Sequence, residues 1–118
     1  MDMIMRKIIF VIVALAAIAP ASADTDGLKT AIGVGNGSCG KWTQDRAKRG
    51  PNFYLNVQWL AGYLSALNRW NVIAGEHDVL EHIDADAIVK WMDKYCSQHP
   101  LTNVVVAVGQ LARELDKR

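Results

Sequence analysis

Residues 53–70 read FYLNVQWLAGYLSALNRW and carry the strongest helical pattern of the chain. Apolar side chains recur in this stretch at steps of three and four residues, which is the spacing of one face of an α-helix. The side chains of that face are Phe53, Val57, Leu60, Ala61, Leu64 and Leu67. Trp59, Tyr63 and Trp70 form a second apolar stripe beside it. Because so wide an apolar surface needs cover on more than one side, the pattern predicts a helix at the centre of the fold.

Gly62 lies in the middle of this predicted helix. Glycine in a helix interior costs about 1 kcal/mol relative to alanine, so its presence there needs a reason. A residue without a side chain lets another backbone or a ring come close. We therefore expect a second helix or an aromatic ring to approach the chain at Gly62.

A short helix is predicted before the central one. Ser38 is a suitable N-cap for a helix over 39–48, and Gly50 followed by Pro51 is typical of a helix end. Asn52 can then cap the helix that follows.

Two more helices are predicted in the second half of the chain. The third begins after Asp84 or Asp86 and reaches Ser97, and the fourth starts at residue 102 or 103 and runs to about Asp116. The fourth opens with a valine-rich run that also suits a β-strand, but helix is favoured because no partner strand is predicted elsewhere. The predicted fold class is therefore all-α, a small four-helix bundle with helix two at its centre.

The chain has two cysteines, Cys39 and Cys96. Because the amino terminus has the pattern of a signal peptide, we expect the chain to be exported. In an exported chain of this size an even pair of cysteines is most simply a disulfide, which would tie helix one to helix three. Closing a loop of about 58 residues would stabilise the fold by roughly 4 kcal/mol. Two free thiols working as a redox or metal pair are the alternative, but such pairs are normally close in sequence, as in C-x-x-C.

The amino terminus has the pattern of a secretory signal peptide. Two basic residues precede an apolar run over 8–19, and Ala21-Ser22-Ala23 follows as a cleavage site. A membrane anchor is the alternative, but the run is shorter than the roughly 20 residues that cross a bilayer. We expect a cleaved signal peptide at 1–23, a flexible glycine-rich segment at 24–37 and a helical domain at 38–118 in the periplasm, without a membrane span after cleavage.

The charge balance of the chain argues against one class of partner. Removing Arg6, Lys7 and Asp2 with the signal peptide would lower the 13 basic and 12 acidic side chains to 11 of each. This balance leaves no basic footprint, so nucleic acid is not an expected partner.

Few polar side chains have the spacing of a catalytic or metal site. His77 and His82 are five residues apart and would not share a helix face, and His99 lies at a helix end. Asp84 and Asp86 suit helix capping better than acid and base catalysis. We expect no catalytic residues, no metal site and no cofactor, and a small envelope enzyme is the least favoured class.

The aromatic content is high for so short a chain. Core packing is expected for Trp59, Tyr63 and Trp91. Three other rings lie nearer to helix ends, where large amphipathic side chains often serve interfaces. We therefore expect a surface for a protein partner, or for a homodimer, at Trp70, Tyr54 and Trp42.

Three segments together resemble one family. They are SCGKW at 38–42, WLAGYLSALN at 59–68, and WMDKYC at 91–96 with HPL at 99–101. Over about residues 38–115 the chain resembles the Rap/Tai-type immunity proteins of type VI secretion and, more distantly, the periplasmic acid-stress protein HdeA.

The resemblance implies a compact helical domain, stapled between Cys39 and Cys96, that acts by binding protein. An immunity protein would occupy a toxin that attacks the cell envelope, and members of this family are often dimers. The alternative is an HdeA-like chaperone that binds unfolding clients in acid, or an envelope protein with another role. Tight binding of one toxin at neutral pH would distinguish the first role, and opening of the fold in acid would distinguish the second.

Overall fold

The computed structural model describes residues 31–118, which form four α-helices and one 3-10 helix. The predicted signal peptide at 1–23 and residues 24–30 lie outside the described residues. Between residues 31 and 118 there is no β-strand, so the predicted all-α, four-helix class is confirmed. No helix in this part of the chain has the length and hydropathy needed to span a bilayer. The elements are the 3-10 helix Gly33–Asn36, α1 Cys39–Lys48, α2 Pro51–Ile73, α3 Ala85–Gln98 and α4 Val104–Asp116.

The junction between α1 and α2 is one place where the predicted boundaries are wrong. Ser38 does cap α1, because its Oγ accepts a hydrogen bond from the Lys41 amide at 3.2 Å. The left-handed residue that ends α1, however, is Arg49 with φ 48°, and Gly50 is the N-cap of α2. Pro51 explains the shift: proline is pre-set for the first position of a helix, so α2 begins there and not after Asn52.

The disulfide forms as predicted. Cys39 is the first residue of α1 and Cys96 lies near the end of α3, and their Cα atoms are 4.6 Å apart. Both cysteines are fully buried. Helix one is therefore joined covalently to helix three inside the core.

An ionic cluster also joins these two helices. The Asp93 carboxylate on α3 accepts hydrogen bonds from Arg46 at 2.7 and 2.9 Å and from the Trp42 indole at 2.8 Å. Charge-assisted, bidentate pairs of this kind fix geometry as well as adding energy. The Arg46 guanidinium also lies over the Phe53 ring of α2, 4.4 Å from its centroid.

The centre of the bundle is α4, and the prediction of a central second helix is wrong. α4 packs against the 3-10 helix and all three other α-helices. α2 contributes only Asn56, Leu60 and Leu64 to the buried set. The reason is length: α2 has 23 residues, whereas α1 and α4 have 10 and 13 and cover it on one side only. The residues that α4 buries are Val104, Val105, Ala107, Val108, Leu111 and Leu115.

The segment before α1 packs on α2 through Trp59. Gly35 is buried beneath the Trp59 ring, and the Trp59 indole donates a hydrogen bond to the Ile32 carbonyl at 3.1 Å. The backbone also pairs Gly37 with Val104, at 2.8 Å. The expected flexible segment at 24–37 thus ends in a regular element from Gly33 onward, because a glycine lets the indole pack on the backbone.

Candidate protein-binding face of α2

One long side of α2 faces solvent, and we name it the outer face. Its large apolar side chains are strongly exposed to solvent: Tyr54 is 64 % exposed, Leu55 59 %, Trp70 69 % and Ile73 61 %. The 23-residue helix supplies this side because its buried positions all fall on the opposite side. The complete outer face consists of Tyr54, Leu55, Gln58, Ala61, Gly62, Ser65, Ala66, Arg69, Trp70, Val72 and Ile73.

The outer face is almost free of charge. Arg69 is the single charged residue in the whole of α2. From their exposed fractions, the large apolar side chains present on the order of 600 Å² to solvent, taking about 150–250 Å² for each ring. They form two groups, Tyr54 with Leu55 near the start of α2 and Trp70 with Val72 and Ile73 near its end. Exposed groups of large apolar side chains are typical of interaction surfaces.

Gly62 lies at the middle of the outer face and has empty space above it. A Cβ atom built on Gly62 would meet nothing within 4 Å. The expected approach of another element at this position is therefore not made within the described part of the chain. The helix carries the cost of a glycine at this position without an internal contact that requires one.

A cavity of about 300 Å³ lies at the amino-terminal end of the outer face, with Leu55 in its wall. The Asp45 carboxylate also lines it, although that residue is only 4 % exposed. Asp45 Oδ1 accepts a hydrogen bond from Lys41 Nζ at 2.6 Å, and Oδ2 accepts one from Asn56 at 3.2 Å. The hydrogen bond from Lys41, together with that from Asn56, lowers the pKa of Asp45 despite its burial, so the carboxylate is ionised at neutral pH and is paired with the Lys41 ammonium in the wall of the same cavity.

Two of the three predicted surface aromatics lie on the outer face, and the third does not. Trp70 and Tyr54 are both well exposed, and they lie near opposite ends of α2. Trp42 is only 1 % exposed and donates its indole N–H to Asp93, so its predicted surface role is wrong. The reason is its spacing from Cys39, three residues earlier, which turns it into the core beside the disulfide.

Sequence reasoning missed the aliphatic part of the outer face. Leu55, Val72 and Ile73 belong to neither predicted stripe, yet all three are exposed. For Leu55 and Ile73 the signal was available in the sequence, because they lie opposite Leu60 and Leu64 on a helical projection.

The polar residues weighed as chemistry lie apart from the outer face. Among residues 31–118, no three His, Cys, Asp or Glu side chains come together as a metal site would require. His77 is 3.9 Å from Asp116 and His82 is 3.3 Å from Glu81, and both histidines are exposed. Asp84 caps α3 by accepting a hydrogen bond from the Asp86 amide at 3.0 Å. The third histidine, His99, stacks on Tyr95 at the end of α3.

The chain matches no protein-family model, no curated protein and no solved structure. The candidate site is therefore defined by the residues of this chain alone.

Proposed function

We propose that the chain is an exported protein-binding domain and that the outer face of α2 is its binding surface. The observation that carries the proposal is that one side of α2 exposes four large apolar side chains and carries a single charge, that of Arg69. The four side chains are Tyr54, Leu55, Trp70 and Ile73. The cores of protein interfaces are depleted in charged residues and enriched in Tyr, Trp and Arg. The outer face has this composition.

The role we favour is immunity of the Rap/Tai type, in which the domain binds and neutralises an envelope-targeting toxin in the periplasm. A rigid scaffold supports such a role, because a surface that is ordered in advance loses less entropy on binding. The disulfide from Cys39 to Cys96 and the Arg46–Asp93 pair provide that rigidity. The leader-like pattern at 1–23 supports export.

The test is a calorimetric titration, at pH 7, of the mature domain with the secreted toxin encoded beside it. We expect tight binding, and we expect Trp70→Glu to weaken it at least about 30-fold, which corresponds to a hot spot of about 2 kcal/mol. Lys90→Glu, which introduces the same residue at an exposed position of α3, is the control and should bind normally. Circular dichroism confirms that both variants are folded.

The outcomes separate the surface from the role. If Trp70→Glu and Tyr54→Glu both bind the toxin like the parent chain, the outer face is not the binding surface. If no neighbouring gene encodes a secreted toxin, or the purified pair does not associate, the immunity role is wrong.

A further inference from the structure

The 3-10 helix, α1, α2 and α4 all contribute to the wall of the cavity beside Leu55. Sites for small molecules are often clefts between the helices of a bundle, with volumes from about 300 Å³ upward. They are mostly apolar and contain a few polar groups that fix the orientation of the ligand. The cavity beside Leu55, at about 300 Å³, has the size of a small example of such a site.

The wall of the cavity combines apolar side chains with one ion pair. Val34, Leu55 and Val104 supply apolar surface. Of the described residues that line the cavity, Lys41 and Asp45 are the charged ones, and Lys41 Nζ lies 2.6 Å from Asp45 Oδ1. Because these two charges cancel, a ligand with one charge would meet a like charge beside the opposite one. A ligand that carries both charges on neighbouring groups is a better complement.

The ion pair is held in place by the protein itself. Asp45 is 4 % exposed, and its carboxylate accepts hydrogen bonds from Lys41, Asn56 and Asn52. A carboxylate has about four lone-pair sites and an ammonium group has three donors. Asp45 can therefore accept one more hydrogen bond, and Lys41 can donate more than the one that it gives to Asp45. A ligand that uses these positions does not have to break the pair.

We propose that this cavity binds a free α-amino acid with an aliphatic side chain. The carboxylate of the ligand accepts from the Lys41 ammonium, and the ammonium of the ligand donates to the Asp45 carboxylate. Covalent geometry holds the amino nitrogen and the nearer carboxylate oxygen of an α-amino acid about 3 Å apart. This separation is close to the 2.6 Å between Lys41 Nζ and Asp45 Oδ1, so two charged hydrogen bonds form side by side. The aliphatic side chain packs on Val34 and Leu55.

The charges of the ligand set its selectivity. Hydrogen bonds to ionised groups are roughly twice as strong as those between neutral groups. An amino acid inside a polypeptide has lost both charges to peptide bonds, although it still offers a donor and an acceptor. The cavity should therefore select a free amino acid over the same residue within a protein. For this reason the site does not rest on the proposed protein-binding function.

Titration of the isotope-labelled protein with leucine at pH 7, followed by NMR, tests the proposal. The backbone amides of Val34 and Leu55 should shift, and the shifts should saturate below about 10 mM leucine. Three probes each lack one part of the ligand: N-acetyl-leucine lacks the ammonium, leucinamide lacks the carboxylate and glycine lacks the side chain. Each should bind at least about 10-fold more weakly than leucine, because it loses a charged hydrogen bond or the burial of the aliphatic side chain.

Two variants with matched controls locate the ligand. Leu55→Ala removes apolar wall at an exposed position, so it should fold and should bind leucine at least about fivefold more weakly while binding glycine as before. Leu101→Ala changes a leucine that is 94 % exposed and outside the cavity wall, and it should bind normally. Lys41→Met keeps an unbranched stem without the ammonium, so it should weaken leucine more than leucinamide. Lys48→Met, at an exposed position of α1, is its control.

Three results would overturn the proposal. They are no shift at Val34 and Leu55 with about 10 mM leucine, probes without one charge that bind as tightly as leucine, and leucine binding that Leu55→Ala leaves unchanged. The result from Leu55→Ala decides the question even if Lys41→Met does not fold. Because no protein partner is present, failure here is distinct from failure of the toxin titration.

Discussion

Trp59 is held by two contacts with the segment that precedes α1. Its ring covers Gly35, and its indole N–H bonds to the Ile32 carbonyl. The ring also stacks on Tyr63, with centroids 5.1 Å apart. This single side chain therefore fixes where the chain before α1 enters the bundle, beside the outer face.

Replacing Gly35 with alanine should break this arrangement. The new Cβ would collide with Cζ2 and Cη2 of Trp59, so the ring has to move and lose its bond to Ile32. Overpacking of this kind costs about 1–3 kcal/mol. Urea unfolding followed by tryptophan fluorescence measures the loss. The matched control is Gly62→Ala, which enters open space and should stabilise the helix by about 1 kcal/mol. Equal unfolding midpoints for the two variants would contradict the packing of Trp59 on Gly35.

Asp45 should make the fold sensitive to acid. Its pKa lies below its ordinary value of 3.8, first because of the hydrogen bond from Lys41. A carboxyl group with a lowered pKa contributes stability that is complete above the unfolded value and is lost as pH falls through the folded value. The free energy of unfolding should therefore drop below about pH 4.

The variant that tests this is Asp45→Asn. It should be less stable than the parent chain at pH 7 and should lose less stability between pH 5 and pH 2, as measured by urea unfolding. Glu76→Gln removes an exposed carboxylate and serves as the control. If Asp45→Asn and the parent chain show parallel pH profiles, Asp45 does not contribute to the acid sensitivity.

At the scale of the helices, the periodicity of the sequence predicted which helices exist, but not which side of each helix the other helices bury. The 3.6-residue pattern assigned Leu60 and Leu64 correctly to the buried side of α2. Ala61 was assigned to the same side and is exposed, because burial there depends on the lengths of the neighbouring helices. The position of α4 at the centre could not be read from its own pattern, since it follows from which helices pack around it.

The same limit applies to the candidate site. Trp70 and Tyr54 were predicted from their places near helix ends, a local property of the sequence. The spacing of Trp42 from Cys39 was a local signal for burial, whereas the hydrogen bond from its indole to Asp93, 51 residues later in the chain, could not be read from the local sequence. The empty space above Gly62 is likewise a property of the assembled fold.

The disulfide should dominate the stability of the helix arrangement. Cys39 and Cys96 are separated by 57 residues, and closing a loop of that length contributes roughly 4 kcal/mol through the unfolded state. Small domains are stable by only about 5–15 kcal/mol in total. The double variant Cys39→Ser, Cys96→Ser should therefore unfold at a much lower urea concentration. Circular dichroism measures the midpoint of that unfolding. The parent chain treated with reductant and then reoxidised should recover its midpoint. An unchanged midpoint in the double variant would mean that packing alone holds α1 to α3.

At the scale of the whole molecule, charge is distributed unevenly. The full chain has a formal net charge of +1, from 13 basic and 12 acidic side chains. Within residues 31–118 these side chains lie on α1, α3, α4 and the connecting segments, and α2 carries Arg69 alone. Mixed charges elsewhere favour the exposure of those surfaces to water, which is a further reason to propose the outer face as the binding surface.

Binding of a protein partner through this face should have the thermodynamic signature of apolar burial. The large apolar side chains of the outer face would remove on the order of 600 Å² of surface from water. At about 0.45 cal/mol/K per Å², they should contribute roughly −0.3 kcal/mol/K to the heat capacity of binding. Calorimetric titration of the domain with its partner at several temperatures measures this slope. A slope near zero together with a steep dependence on salt would mean that the interface is polar and does not include the outer face.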